Sequence, residues 1–262
     1  MELNIYQIDA FASKPFEGNP AAVCPLNEWL PDKTMQSIAE ENNLSETAFF
    51  IPKGNGFHIR WFTPTKEVDL CGHATLATAY VLFNILSYKS DKIEFDSKSG
   101  ILTVTNNNEW IVMNFPLQPP VLCENIPEEI IKAFDIAPIE CLKSEDYVVV
   151  FDREIDIESA KPDFGQLKKL DLRGVIITAK STRYDFIARF FAPKYGILED
   201  PVTGSAYTQL APYWASKIGS KRFVVKQVSS RGGELSCEIV DSRVLISGKA
   251  IKYLEGKIII ET

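Results

Sequence analysis

The sequence has few of the residues that usually hold metals or cross-links. Its 262 residues include two histidines and five cysteines, with no C-x-x-C and no H-E-x-x-H pattern. We therefore expect no metal site and no disulfide framework. No apolar run reaches about 18 residues, so a membrane-spanning helix is not expected. The first residues lack a basic segment followed by an apolar one, which argues against a secretory signal, and the cysteine usage fits a reducing cytoplasm.

The charge pattern is also without a basic block. The chain carries 28 basic and 35 acidic residues, for a net charge of −7. Nucleic acids and membrane surfaces are therefore not expected partners. Hydrophobic residues make up 45% and charged residues 24% of the chain, values that are ordinary for a globular protein. The length fits one large domain or two smaller ones.

Two segments of the chain resemble each other. Residues 57–64 read F-H-I-R-W-F-T-P and residues 186–193 read F-I-A-R-F-F-A-P, 129 positions later. Residues 99–104 and 232–237 share a glycine and a leucine at an offset of 133. The similar offsets indicate a duplication. Arg60 and Arg189 match across the repeat, so we assign them to the scaffold.

A proline-rich segment, 116–120, predicts the boundary between the halves, because proline cannot continue a helix or donate to a sheet. The predicted halves are 1–115 and 121–262, and a C-terminal strand at about 250–262 could pack back on the first half.

Each half shows strands, then a helix, then a hairpin. The first helix, 74–86, is apolar on all sides and should be buried. This order predicts an α+β fold of two pseudo-symmetric halves, each a mostly antiparallel sheet rolled around a central buried helix. The other predicted elements are strands 3–11, 46–51 and 57–62, helices 32–42, 127–135 and 202–218, and hairpins 101–105 with 110–115 and 234–240 with 243–248. Pro212 should kink or interrupt the second central helix.

The starts of the two central helices are candidate sites, and a cleft between related halves is a favoured ligand position. In the second half, Asp200 is placed as an N-cap with Pro201 at the first helical position. Capping alone would explain this pattern. The hydroxyls of Thr203 and Ser205, with the free N–H groups of the helix start, would also suit a substrate carboxylate.

In the first half, Gly72 allows close approach to a ligand, and His73 can exchange a proton near neutral pH. A structural hydrogen bond is the alternative for His73, and we assign His58, inside a strand, to the structure. The offset of 129 sets Cys71 opposite Asp200, so a symmetric pair of thiols is not available. Cys71 itself is interpreted as a small buried side chain.

Glu46 opens an apolar strand, and the same offset sets it opposite Val175. It is either an exposed charge at the strand end or a carboxyl that transfers protons. The loss of symmetry at this position favours the second reading. The turn at Gly18, Asn19 and Pro20 could also bring an amide to the ligand.

Five motifs in order resemble the PhzF-like family, whose fold is similar to that of diaminopimelate epimerase. They are I-D-A-F at 8–11, G-N-P-A-A-V at 18–23, N-L-S-E-T-A-F at 43–49, D-L-C-G-H-A-T at 69–75 and D-P-V-T-G-S-A at 200–206. The resemblance implies isomerisation by proton transfer without a cofactor, on a small carboxylate-bearing substrate, and a possible homodimer. In the phenazine enzyme of the family the substrate is a dihydro-hydroxyanthranilate.

The resemblance also implies roles for single residues. Glu46 matches the acid/base, and His73, Asp200 and Ser205 match residues that hold and polarise the substrate. The motifs place further substrate-binding residues at Asn19, Gly72, Ala74, Thr203 and Gly204. The family's relatives among the epimerases use two cysteines, and this chain departs from that pattern.

Two other functions stay open at this point. A hydrolase could use Ser205 as nucleophile with His73 and Asp200, although no G-x-S-x-G motif occurs. A binding module could close on a small acid without chemistry.

Overall fold

The computed structural model describes residues 1–260 and divides into two compact units. The first comprises Met1–Asn114 and the chain from Ser247 onward, and the second comprises Phe115–Ile246. The junction lies next to the proline-rich segment 116–120, which belongs to the second unit. The C-terminal strand belongs to the first unit.

The first unit is a sheet with two helices. Its elements are β1 (Glu2–Ala10), β2 (Asn19–Pro25), α1 (Asp32–Asn42), β3 (Glu46–Lys53), β4 (Gly56–Phe62), β5 (Glu67–Val68), α2 (Gly72–Tyr80), a π-helical turn (Val81–Ile85), β6 (Lys92–Ser97), β7 (Gly100–Asn107), β8 (Trp110–Pro116) and β18 (Ala250–Ile259). Strand β1 is antiparallel to β2 and β18. Strand β2 is parallel to β3, β3 antiparallel to β4, β4 parallel to β6, and β6 antiparallel to β7.

Helix α2 occupies the core of the first unit and packs on β1, β2 and β3. Every residue from His73 to Ala79 is buried, as predicted for a helix that is apolar on all sides. Small side chains make this position possible, because Ala74, Ala77 and Ala79 let the strands approach closely. The predicted helix 74–86 begins two residues earlier than expected and ends in the π-helical turn.

The second unit repeats this plan. Its elements are β9 (Val121–Leu122), α3 (Glu128–Ala133), β10 (Glu140–Lys143), β11 (Tyr147–Val150), α4 (Glu154–Glu158), α5 (Phe164–Leu167), β12 (Val175–Lys180), β13 (Phe186–Ala192), a 3₁₀ turn (Pro193–Tyr195), β14 (Ile197–Asp200), a second 3₁₀ turn (Gly204–Ala206), α6 (Tyr207–Ile218), β15 (Arg222–Gln227), β16 (Gly233–Val240) and β17 (Arg243–Gly248). Strand β11 is parallel to β12, β12 antiparallel to β13, β13 parallel to β15, and β15 antiparallel to β16.

The order of pairings in β11, β12, β13, β15 and β16 is therefore the order in β2, β3, β4, β6 and β7. The two matched arginines support the same equivalence. Arg60 forms a fork with Glu67 and lies 5.1 Å over Phe62, and Arg189 forms a fork with Glu199 at the same distance over Phe191. The prediction of two pseudo-symmetric α+β halves is confirmed.

Helix α6 differs from the prediction at Pro212, which neither ends nor divides it. Proline cannot donate to the carbonyl four residues before it, here that of Thr208. The backbone N–H of Gln118 donates to this carbonyl at 3.0 Å instead. The helix continues because the chain just after the junction replaces the missing hydrogen bond.

Within residues 1–260, no helix combines the length and the apolar composition needed to cross a membrane.

Candidate active site

Two strand starts and one helix start of the first unit meet at one place. Asn19 is the first residue of β2, Glu46 is the first of β3, and His73 is the second of α2. The parallel pairing of β2 with β3 brings these starts together, since Ala21 lies opposite Glu46. Gly18 makes the entry to β2 possible: its φ is +68°, and a Cβ there would lie 2.1 Å from the Ala10 carbonyl oxygen.

His73 is the centre of this group. Its Nε2 lies 3.0 Å from Oε2 of Glu46, an ion-pair distance, but the two atoms do not meet hydrogen-bond geometry. On the other side of the ring, Nδ1 lies 3.3 Å from the Asn19 amide nitrogen and 3.5 Å from Sγ of Cys71. Glu46 is 8% exposed and His73 5%, so both can react in an environment that excludes most water. The Glu46 carboxylate thus keeps bonding capacity that a substrate could use.

The environment sets the charges of this group. Burial, with the Glu46 charge nearby, raises the pKa of the Cys71 thiol to about 11, so it stays protonated at neutral pH. Burial of the His73 ring opposes its charge, whereas hydrogen bonding to the Cys71 sulfur and the negative charge of Glu46 favour it. The net result is a His73 pKa well above its ordinary value. The structure therefore favours a protonated imidazole beside a carboxyl group.

Glu46, Cys71 and His73 also have atoms of the types that zinc accepts, within 4.8 Å of one another. Among residues 1–260, they are the group that could hold a metal. The expectation from the sequence was that the protein has no metal, and this stays a prediction.

In the second unit, Asp200 is not the N-cap that the sequence suggested. It ends β14, where it pairs with Phe190, and the 3₁₀ turn before α6 begins only at Gly204. The Thr203 hydroxyl donates to the Asp200 carboxylate at 2.5 Å. The prediction was wrong because strand pairing holds Asp200 before the helix begins.

The hydrogen-bond donors of Thr203 were predicted to be free for a substrate, and the structure shows them in use. Its backbone N–H donates to Oε1 of Gln227 at 2.9 Å, and the Gln227 amide donates to the Asp200 carbonyl at 2.7 Å. Gln227 is 1% exposed. These bonds fix the segment between Asp200 and the helix, and neither donor of Thr203 is left free for a ligand.

Ser205 contacts a cluster that sequence reasoning missed. Its Oγ accepts a hydrogen bond from Nη2 of Arg173 at 3.1 Å, and Arg173 forms a fork with the fully buried Asp146. Gln209 completes the cluster by donating to Asp146 at 2.7 Å. Aspartate is almost never fully buried unless it is paired, so the burial of Asp146 implies a cationic partner. Nothing in the linear sequence identified Arg173 as that cation.

The positions of the two central helix starts align the two halves at a different offset from the 129 found in the sequence. Cys71 directly precedes α2, and Thr203 directly precedes the 3₁₀ turn that leads into α6. The segments C-G-H-A and T-G-S-A then match at an offset of 132. The earlier pairing of Cys71 with Asp200 is corrected: Cys71 matches Thr203, and His73 matches Ser205. The second segment still has no thiol.

The other predicted residues have clear positions. Gly72 and Ala74 lie in the first turn of α2, and Gly204 opens the matching 3₁₀ turn. His58 lies inside β4 with its ring edge-on to Trp29 at 5.0 Å, in agreement with a structural role.

Comparison with known proteins agrees with these motifs. The family model described as "Phenazine biosynthesis-like protein", PhzC-PhzF, matches residues 8–256. The chain belongs to the PhzC-PhzF family. A Pseudomonas aeruginosa protein named as an uncharacterized isomerase is 52% identical over 256 residues, covering 98% of each chain. The predicted enzyme class, an isomerase, is confirmed.

Solved structures agree with the PhzC-PhzF assignment. An Enterococcus faecalis protein of the PhzF family superposes with a TM-score of 0.97 at 45% identity, covering 99% of this chain and 100% of that one. A hydroxyproline epimerase from Agrobacterium vitis, with bound trans-4-hydroxy-L-proline, gives a TM-score of 0.60 at 7% identity, covering 98% and 92%. At that identity the likeness shows the fold alone, which is the epimerase-like fold expected from the sequence.

Proposed function

We propose that this isomerase moves a proton within a small carboxylate-bearing substrate, amino-acid-like or cyclic, by general acid/base catalysis without a cofactor. The observation that carries the proposal is the buried pair of Glu46 and His73. Their facing atoms lie 3.0 Å apart without hydrogen-bond geometry, so the carboxylate can turn to a substrate proton. General acid/base catalysis of this kind contributes about 10²–10⁴-fold to a rate.

In the proposed reaction, the Glu46 carboxylate removes a proton from a carbon activated by the substrate's carboxylate or by a neighbouring double bond. The electron pair of the broken C–H bond moves into an enol or enolate. His73, with its raised pKa, stabilises the developing negative charge. Glu46 then delivers a proton to another position, after exchange with solvent in a part of the turnovers, so the reaction needs no oxidant and no other reactant.

We assign the holding of the substrate to the polar groups at both helix starts. Asp200 and Ser205 are the proposed orienting groups of the second unit, with Gly204 beside them. The backbone at Gly72 and Ala74, at the positive end of α2, is the proposed carboxylate binder of the first unit, and Asn19 orients the His73 ring.

The contacts of Ser205 argue against the hydrolase alternative. A nucleophilic serine needs a base that takes its proton. The group that contacts its Oγ is Arg173, which remains protonated and cannot accept one. We therefore assign Ser205 the role of a hydrogen-bond donor.

Deuterium uptake tests the proposal. The protein is incubated in D₂O with cyclic amino acids, including 4-hydroxyproline, and with a dihydro-hydroxyanthranilate, and mass spectrometry follows the label. Wild type should incorporate deuterium into at least one candidate, and Glu46→Gln should lower that rate by about 10²–10⁴-fold. Glu94→Gln, on the exposed side of β6, is the control and should match wild type.

Equal exchange by wild type and Glu46→Gln would refute the role of Glu46. Binding of a candidate without exchange or product would support a protein that binds small acids and does no chemistry on them. A cytoplasmic location and a homodimer remain predictions, which fractionation and light scattering can check.

A further inference from the structure

We propose that Arg173 is a positioning residue for Ser205, and that it fixes the Ser205 hydroxyl as a hydrogen-bond donor toward the substrate. This inference rests on the proposed function, which assigns Ser205 to the substrate. It adds a residue, Arg173, that neither the motifs nor the repeat singled out.

The Arg173 guanidinium is held on several sides. Its Nε and Nη2 donate to the two carboxylate oxygens of Asp146, at 2.9 and 2.6 Å. Its Cζ atom lies over the Phe190 ring, 5.3 Å from the ring centre. Asp146 is itself fixed, since its backbone N–H donates to Gln209 at 3.1 Å and its carboxylate accepts from the Gln209 amide at 2.7 Å. The guanidinium therefore has one defined orientation, in which Nη2 also reaches Ser205 at 3.1 Å.

This contact determines the direction of the serine hydroxyl. Arginine has only donors, so Ser205 Oγ must be the acceptor. A hydroxyl has a single proton, and a donor already occupies the side facing Arg173. The Ser205 O–H must therefore point away from Arg173, where it can donate to an oxygen of the substrate.

The charges nearby argue against a second role for Arg173 as an anion-binding cation. Asp146 lies at 2.6 Å, and Glu145 lies 3.1 Å from Nη1. These two carboxylates more than balance the positive charge. The effect of Arg173 is therefore geometric, and it depends on the planar fork that lysine lacks.

The first test measures the contact without any substrate. Ser205→Cys introduces a thiol at position 205, and a hydrogen bond that Nη2 of Arg173 donates to the thiolate lowers the thiol pKa, although the carboxylates balance the charge at longer range. Its alkylation by iodoacetamide is followed by peptide mass spectrometry from pH 5 to 10. Adding Arg173→Gln together with Asp146→Asn, which removes the pair without leaving a buried charge, should slow alkylation at pH 7 by about tenfold, the effect of one pKa unit.

The matched control is the other forked arginine of this unit. Arg189→Gln with Glu199→Gln removes an equivalent pair that has no contact with Ser205 among its hydrogen bonds. In the Ser205→Cys background it should leave the alkylation profile unchanged. An unchanged profile after loss of the Arg173 pair would overturn the proposal, as would an equal shift in the control.

The second test uses the exchange reaction. Arg173→Lys keeps the charge but loses the fork, and it should lower kcat by about the same factor as Ser205→Ala, with little change in KM. In the Ser205→Ala background, Arg173→Lys should cause no further loss, because its effect passes through the hydroxyl. A further loss equal to that in wild type would show a general structural role and contradict the proposal.

The outcomes separate this inference from the proposed function. If wild type exchanges none of the candidates, the proposed function fails. The alkylation profiles then still decide whether Arg173 orients the group at position 205.

Discussion

The two central helix starts share a backbone frame and carry different chemistry. The segments C-G-H-A and T-G-S-A both precede a buried helix. In the first, His73 lies beside Glu46, and in the second, the matching Ser205 accepts a hydrogen bond from Arg173. The duplicated scaffold has thus kept an acid–base pair at one start and a fixed hydroxyl at the other.

The strand that lies beside each helix start shows the same divergence. Thr47, the second residue of β3, lies opposite Phe62, and Val175, the first of β12, lies opposite the matching Phe191. The offset of 129 that set Glu46 against Val175 is therefore corrected by one residue: Val175 matches Thr47, and Glu46 matches Gly174. A carboxyl group is not needed to fold this position, because glycine occupies it in the second unit. A buried acid that the fold does not require is best explained by function.

The largest effect is expected when the acid of the first unit is removed. Glu46→Val should lower the exchange rate by about 10²–10⁴-fold, because it removes the acid/base and leaves a β-branched side chain of the kind that strands favour. Circular dichroism and the melting temperature should show a folded protein. If the folded variant exchanges deuterium near the wild-type rate, Glu46 is not the acid/base.

A loss of about 10²–10³-fold is expected for His73→Gln, which cannot carry the positive charge that stabilises the enolate. The raised pKa of His73 also predicts a pH-dependent stability. The stabilisation that protonated His73 contributes should be full below about pH 6.5, its pKa in the unfolded chain. It should be lost as the pH rises through the higher pKa of His73 in the folded protein. Denaturant unfolding of wild type and variant across pH 6–10 measures it, and a difference that grows with pH would contradict the assignment.

At the second helix start, Ser205→Ala should cost about tenfold in kcat, the value of roughly one hydrogen bond in the transition state. Ser220→Ala, which changes a half-buried serine after α6 whose hydroxyl bonds to the backbone of Arg222, should leave the rate unchanged. A complete loss of exchange in Ser205→Ala would contradict a contribution of one hydrogen bond, and labelling of Ser205 by a serine-reactive phosphonate would restore the hydrolase alternative.

The smallest effect is expected for Cys71→Thr, which gives the first unit the matching residue of the second. A thiol with a pKa of about 11 is not a base at neutral pH, so the exchange rate should stay within about threefold of wild type. A loss near that of Glu46→Val would place the thiol in the reaction.

Local patterns predicted much of this molecule. The alternating strands, the buried helix α2 and both hairpins follow from the spacing of apolar and turn residues, which act over short distances. The match of Glu46 with Val175 was wrong by one residue, because β4 matches β13 at an offset of 129 whereas β3 matches β12 at an offset of 128.

Three features depend on contacts between residues that are distant in the chain, so they could not be predicted from the sequence. The match of Cys71 with Thr203 required the helix starts, since the offset changes between β4 and α2. The unbroken helix at Pro212 depends on Gln118, far away in the chain. The cluster of Arg173, Asp146 and Ser205 is assembled only when β11, β12 and α6 come together.

The central claim is that the Glu46 carboxylate, and no thiol, moves the proton. Its most direct test compares deuterium uptake from D₂O by wild type, Glu46→Gln and Cys71→Ser on the same substrate. We predict that Glu46→Gln loses the exchange and that Cys71→Ser retains it. Retention by Glu46→Gln with loss in Cys71→Ser would contradict the account.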